Sequence, residues 1–253
     1  MVDASLSLGA VVGVLLSGGF VYYEVGRFAT PQVEETRFNE RRAIFAYTGG
    51  LFVGVPLAIF LLLFLTSTGN GAWPGAILFL GLLLAVGEGA EWGLLRSRYF
   101  GTGPAGPFYA LAFRAGVAAI LILAIMAQVL GAPTLSAPAI GLALGQSLAL
   151  LAFGAMGALM SLPGRYRSDR RATPILSVAL GGFGYLLIGF PTFSGPAVGA
   201  AALGVGIVGA GYLYLQQRPL LATIPPPSGP AARPGVGAPG SRYGRTEPPP
   251  RRP

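Results

Sequence analysis

Residues 108–130 read FYALAFRAGVAAILILAIMAQVL, an unbroken apolar run whose single charge is Arg114. A helix rises about 1.5 Å per residue, so a run of this length reaches across the ~30 Å hydrocarbon core of a bilayer. Similar runs lie on either side at Ser5 to Tyr23, Ala43 to Thr66, Pro74 to Leu95, Pro138 to Leu162, Pro174 to Phe190 and Pro196 to Gln216, each bounded by proline, glycine or arginine. Proline in the first turn gives up a backbone donor that has no partner there anyway, so Pro74, Pro138, Pro174 and Pro196 read as helix starts. The expected fold is an all-α transmembrane bundle of seven spans over residues 1–217. The sixth run is the shortest, and a re-entrant or interfacial hairpin is its alternative.

Composition agrees with that reading. The 253 residues are 53% hydrophobic and 10% charged, against about 25% charged for soluble domains. Mean hydropathy is +0.65.

Arginine outside the runs falls on alternate connections. Four lie in 24–42, Arg96 and Arg98 in the third connection, four in 163–173 and six in the tail, while the second, fourth and sixth connections have none. Arginine-rich loops are retained in the cytoplasm, so this alternation predicts an N-terminus outside and a C-terminal tail in the cytoplasm of a multi-pass cell-membrane protein. The first run has Asp3 before it and arginines after it, which argues against a cleaved signal peptide.

From residue 218 the chain changes character, with eleven of the 22 prolines in residues 218–253 beside glycines and arginines. Such a segment buries too little apolar surface to offset its ordering entropy, so residues 218–253 read as a disordered, polyproline-biased tail. Its plainest reading is a solubilising tail, and the alternative is a tether to anionic lipid headgroups or a ligand for a proline-reading protein. The connection 24–42 holds four acidic and four basic residues and is the second candidate docking segment for a cytoplasmic protein. Within it Val33 to Arg42 is expected to extend the second span as a helix, with Pro31 marking the start and Glu34 and Glu35 in the first turn.

Several chemistries are absent with their residues. There is no cysteine, histidine or lysine, and all 17 basic residues are arginine. That removes thiolate nucleophiles and iron–sulfur ligation, imidazole bases, haem or usual zinc ligands, and Schiff bases, including retinal attachment. A lysine-dependent phosphate loop and a His-Glu-x-x-His site are excluded likewise, and no serine elbow or calcium loop occurs. No metal or cofactor is expected. The net charge of +8 is explained by the orientation signal, and no basic-aromatic module points to nucleic acid.

The runs hold three ionisable side chains well inside them, Glu88, Glu91 and Arg114. A charge at a helix centre costs roughly 2.5–3.5 kcal/mol on insertion scales, so such groups pair or face water. Glu88 lies eight residues before Arg96 and Arg114 seven after Pro107, which places both about 10–12 Å from the inner ends of adjacent spans. Glu88 and Glu91, three apart, share a helical face. One guanidinium can in principle hold both carboxylates, and an ion pair between Glu88 and Arg114 that fixes how the third and fourth spans pack is expected; in the alternative, functional reading Glu91, nearer water, is left free to take a proton or cation. Gln128 and Gln146 are candidate lining groups of a path to that cluster. Trp73, Trp92 and Tyr99 flank the runs as interface anchors.

Glycines four apart, as at Gly9 and Gly13, Gly50 and Gly54, Gly141 and Gly145, Gly195 and Gly199, predict close helix packing within the bundle. A homo-oligomer formed through one such face is the alternative. The likeness of Gly18-Gly19-Phe20-Val21-Tyr22 to Gly181-Gly182-Phe183-Gly184-Tyr185 reads as a consequence of glycine content rather than an inverted repeat.

Three roles fit this inventory. The preferred one is a non-enzymatic membrane component that organises a complex through its loop and tail. The alternatives are a small transporter or channel using Glu88, Glu91 and Arg114, and a lipid-modifying enzyme drawing on the same residues with Arg96 and Arg98.

Overall fold

The computed structural model describes residues 2–28, 39–67, 73–97, 99–100, 105–132, 136–166, 175, 177–186, and 200–201, 204–209, 211–212 and 215. Among them there is no strand. Five long helices follow one another: α1 (Val2–Phe28), α2 (Glu40–Ser67), α3 (Trp73–Arg96), α4 (Gly106–Leu130) and α5 (Ala137–Tyr166). A shorter apolar helix, α6, covers Ser177–Leu186. Among the described residues four helices are long and apolar enough to cross a membrane, through Leu6–Glu24, Glu40–Leu63, Gly106–Leu130 and Ala137–Met160. The five long helices coincide with the first five expected runs to within a few residues. Of the sixth and seventh runs only α6 and helical residues between 200 and 215 are described. Gly195, Gly199 and the tail from residue 218 lie outside the described residues.

The ends of the helices follow from local chemistry. Asn39 precedes α2, and its side-chain oxygen accepts from the Arg42 backbone N–H at 3.4 Å. Ser136 does the same for Ala139 at 3.3 Å ahead of α5. Each adds a side-chain acceptor to a first-turn amide that also bonds the same residue's backbone carbonyl, Arg42 to Asn39 at 3.0 Å and Ala139 to Ser136 at 3.1 Å. The expectation that α2 runs on from Val33 is corrected here, because Asn39 is non-helical and caps a helix that begins at Glu40. Residues 29–38 lie outside the described residues. α1 in turn overshoots its apolar run and ends at Phe28, which carries Glu24 onto a buried helical position rather than into a loop.

α4 is the axis of the bundle. It packs against α1, α2, α3 and α5, and nearly every residue from Gly106 to Met126 is buried. Small side chains make this possible, since Ala110, Ala112, Ala115, Gly116, Ala118 and Ala119 let neighbours approach on all sides. A methyl group at Gly50 of α2 would strike the Phe113 carbonyl and lie 3.0 Å from the Gly116 Cα, and one at Gly116 would strike the Tyr47 carbonyl. On α1, a methyl at Gly13 would strike the Ala119 carbonyl, and one at Gly9 would lie 3.0 Å from the Leu123 carbonyl. These helices touch backbone to backbone.

Large apolar side chains point the other way. On α1 the buried row is Gly9, Gly13, Ser17 and Glu24, whereas Leu8, Val11, Leu15 and Tyr22 are exposed. On α2 the buried row includes Ala43, Ala46, Gly50 and Gly54, and Ile44, Phe45, Phe52, Ile59 and Phe60 face outward. Water would penalise an outer surface of this kind, whereas hydrocarbon is as apolar as leucine and leaves packing and internal hydrogen bonds to hold the helices together. One such bond joins α1 to α2, the Ser17 and Tyr47 hydroxyls at 2.7 Å.

Candidate functional site

The one charged side chain of α4, two turns into the helix, organises the site. Arg114 is 8% exposed, and its partners on α3, Glu88 and Glu91, are 15% and 9% exposed. Its Nη2 donates to Glu88 Oε2 at 2.8 Å, and its Nε donates to Glu91 Oε2. Three-residue spacing on α3 brings both carboxylates to the same side of the helix.

The remaining donors of Arg114 are met by backbone and hydroxyl oxygens. Nη2 reaches Ser177 Oγ at 3.3 Å, while Nη1 points at the Ser177 carbonyl at 3.4 Å and the Gly154 carbonyl at 3.5 Å. A guanidinium has five N–H groups, and each faces one acceptor here. Ser177 is itself held by donating to the Gly157 carbonyl at 2.6 Å. Arg114 thus ties α4 to α3 through two charges, to α5 through Gly154, and to α6 through Ser177.

Glycines make room for the guanidinium. A methyl at Gly157 of α5 would collide with Arg114 Nη1 and the Ser177 carbonyl, and one at Gly181 of α6 would collide with Glu88 Oε1 and Arg114 Nη1. Gly154 is in ordinary contact with the Arg114 stem, its would-be methyl 3.7 Å from Cβ. Tyr185, one turn after Gly181, is buried, and its hydroxyl would lie 2.7 Å from a methyl at Gly87, the residue before Glu88. Leu84 of α3 and Phe153 of α5 close the two sides of α6, the latter edge-on to Phe183 at 5.0 Å.

The expected Glu88–Arg114 ion pair is therefore present, but Glu91 is not left free as the alternative has it. Arg114 presents its Nε edge as well as its Nη2 edge to α3, and Glu91, one turn nearer the end of the helix, takes the first of these. The two glutamines are not part of the cluster. Gln128 is exposed and lies fourteen residues along α4 from Arg114, about 21 Å on a straight helix. Gln146 is buried on α5, eight residues before Gly154, about 12 Å away.

The end of the bundle nearest Glu91 is aromatic and basic. Arg96 stacks over the Trp92 ring with Cζ 3.6 Å from its centroid, and Trp92 itself is 60% exposed. Arg42 of α2 stands over Tyr99 at 5.3 Å. Tyr99 continues edge-on to Phe45 and Phe100, and Phe100 to Tyr109. The Asn39 N–H donates to the Tyr109 hydroxyl at 3.0 Å, tying the start of α2 to the first turn of α4. α3 starts at Trp73, whose side chain, like Arg98, lies outside the described residues.

Sequence reasoning missed Ser177, Gly154, Gly157, Gly181 and Tyr185. The repeated Gly-Gly-Phe-x-Tyr pattern was the one available signal for the last two, since glycine beside a buried charge makes room for it. Among the described residues no three histidine, cysteine, aspartate or glutamate side chains gather as a metal site. No family model, curated protein or solved structure matches this chain.

Proposed function

We propose that this chain is a non-enzymatic integral membrane component, threading the bilayer seven times with residue 3 outside and residue 245 in the cytoplasm, that assembles a cytoplasmic complex through residues 24–42 and 218–253. The supporting observation is the saturation of Arg114: all five of its N–H groups face internal acceptors, so no donor is left for a substrate. A polar cluster spent on joining four helices is architectural, and a rigid bundle is what an anchor needs. A lipid-modifying enzyme would need an acid, a base and oxyanion donors converging near one interface. Arg96, at that interface, is instead stacked on Trp92.

Transport through Glu88 and Glu91 is the second reading, favoured by two carboxylates facing one guanidinium. Purification from native membranes separates the two. The anchoring role predicts a stoichiometric cytoplasmic partner that is lost when residues 218–253 are removed and kept in Glu91→Gln. A chain that purifies alone, and whose proteoliposomes carry a proton or cation flux abolished by Glu91→Gln, would replace the first reading by the second.

A further inference from the structure

The charges at the centre of the bundle do not cancel. Glu88 and Glu91 bring two negative charges to Arg114, which brings one positive charge, and all three are largely buried. Arg114 has no N–H to spare. Both contacts use Oε2, so the second oxygen of each carboxylate is not engaged by Arg114, and Glu88 Oε1 lies against Gly181, where a methyl would collide with it. From α5 and α6 the cluster is faced by neutral groups, the Gly154 and Ser177 carbonyls and the Ser177 hydroxyl. The titratable group facing it from α6 is Tyr185, which interacts electrostatically with Arg114, Glu88 and Glu91. Two carboxylates this close cannot both stay ionised at low cost in a weakly polarisable interior, because one guanidinium compensates one of them.

We propose that the triad is a proton-binding site, in which Glu88 and Glu91 share one proton taken from water at neutral pH, with the Tyr185 hydroxyl as hydrogen-bond partner of the neutral carboxyl. The bound unit is then electrically balanced, one guanidinium to one carboxylate. The proton belongs to the pair rather than to either glutamate. The proposal rests on the triad's geometry and holds whether the chain anchors or transports.

Infrared spectroscopy of the full chain in lipid nanodiscs, with 13C-labelled glutamate carboxyls, reads this directly. At pH 7 in sodium or potassium chloride the wild type is expected to show a protonated glutamate carboxyl band. That band is lost in Glu88→Gln and equally in Glu91→Gln, since either substitution leaves one carboxylate for one guanidinium. Tyr185→Phe keeps the band but shifts it, because the carboxyl loses a hydrogen-bond partner. Absence of the band in the wild type overturns the proposal without any variant, as does a band that survives both substitutions. A band that emerges only when choline replaces the alkali cations assigns the compensating charge to a metal ion and also overturns it.

Discussion

Arg114 is the residue on which four helices converge, and the cost of removing it follows from what would be left behind. Arg114→Met keeps the stem that fills the space beside Gly154 but strands two carboxylates and the oxygens of Ser177 and Gly154. Breaking a buried pair by deleting one partner typically costs about 3–5 kcal/mol. A marked drop in the thermal midpoint in detergent is expected. Adding Glu88→Gln to Arg114→Met recovers part of it, because one of the two stranded carboxyl groups is gone; strictly additive losses would contradict the pairing. The pairing itself was legible in the sequence, since equal distance from two helix ends places side chains at one depth. Most of the other acceptors were not. Gly154 and Ser177 contribute carbonyl oxygens that every residue owns, so residue type carries no trace of them, and only the tertiary path of α6 brings them there. Glu24 was placed in a loop for a related reason. Hydropathy ends a helix where charge begins, whereas α1 continues because its buried row, Gly9, Gly13, Ser17, carries on one heptad later to Glu24.

At the scale of the element, glycines at the same spacing meet different surroundings. Gly9, Gly13, Gly50 and Gly54 all lie against α4, with a would-be methyl at Gly54 only 2.9 Å from Ile120 Cβ. Gly141 has the same spacing to Gly145 and nothing within 4 Å. Periodicity shows that a face exists; it does not say what covers it. Gly116→Ala is therefore expected to lower the thermal midpoint, by an amount matching the roughly 1–3 kcal/mol of an overpacked core, because the obstructing atom is the Tyr47 carbonyl and backbone cannot step aside. Gly81→Ala and Gly141→Ala are the controls, both in open space. Alanine is the better helix former by about 1 kcal/mol in water, so neither should destabilise. Equal losses at Gly116 and Gly81 would mean that backbone freedom rather than interhelical contact decides the effect. Gly181→Ala tests the cradle in the same way. Its methyl would meet Glu88 Oε1 and Arg114 Nη1, so α6 must move or the ion triad must break, and the loss should shrink when Glu88 is already glutamine and less tightly held.

For the whole molecule, the deciding property is that α1 and α2 turn rows of small residues toward α4 and large apolar side chains outward, while α4 itself buries Phe108, Phe113, Leu121 and Ile122, an outer surface that water would not select. Composition and run length were enough to anticipate helices of membrane-crossing length, because hydrocarbon thickness sets a length that sequence must match. Sidedness depends on arginine in the connections, and a chain without cysteine offers a clean way to test it. Asp3→Cys and Arg245→Cys each create a sole thiol, so a membrane-impermeant maleimide applied to intact cells reports one position without background. On the proposed seven crossings, residue 3 is expected to react and residue 245 only after the cells are opened. Reaction at both positions in intact cells would put them in one compartment and require an even number. The physical source of such a change would then lie in residues 174–216, where the described part of α6 is Ser177–Leu186. A re-entrant α6, held inside the bundle by Ser177 on Arg114 and Phe183 on Phe153, would return the chain to the side it came from. It would also leave Arg114 satisfied as before, so the stability of the triad variants and the labelling pattern report on separate features of the same fold.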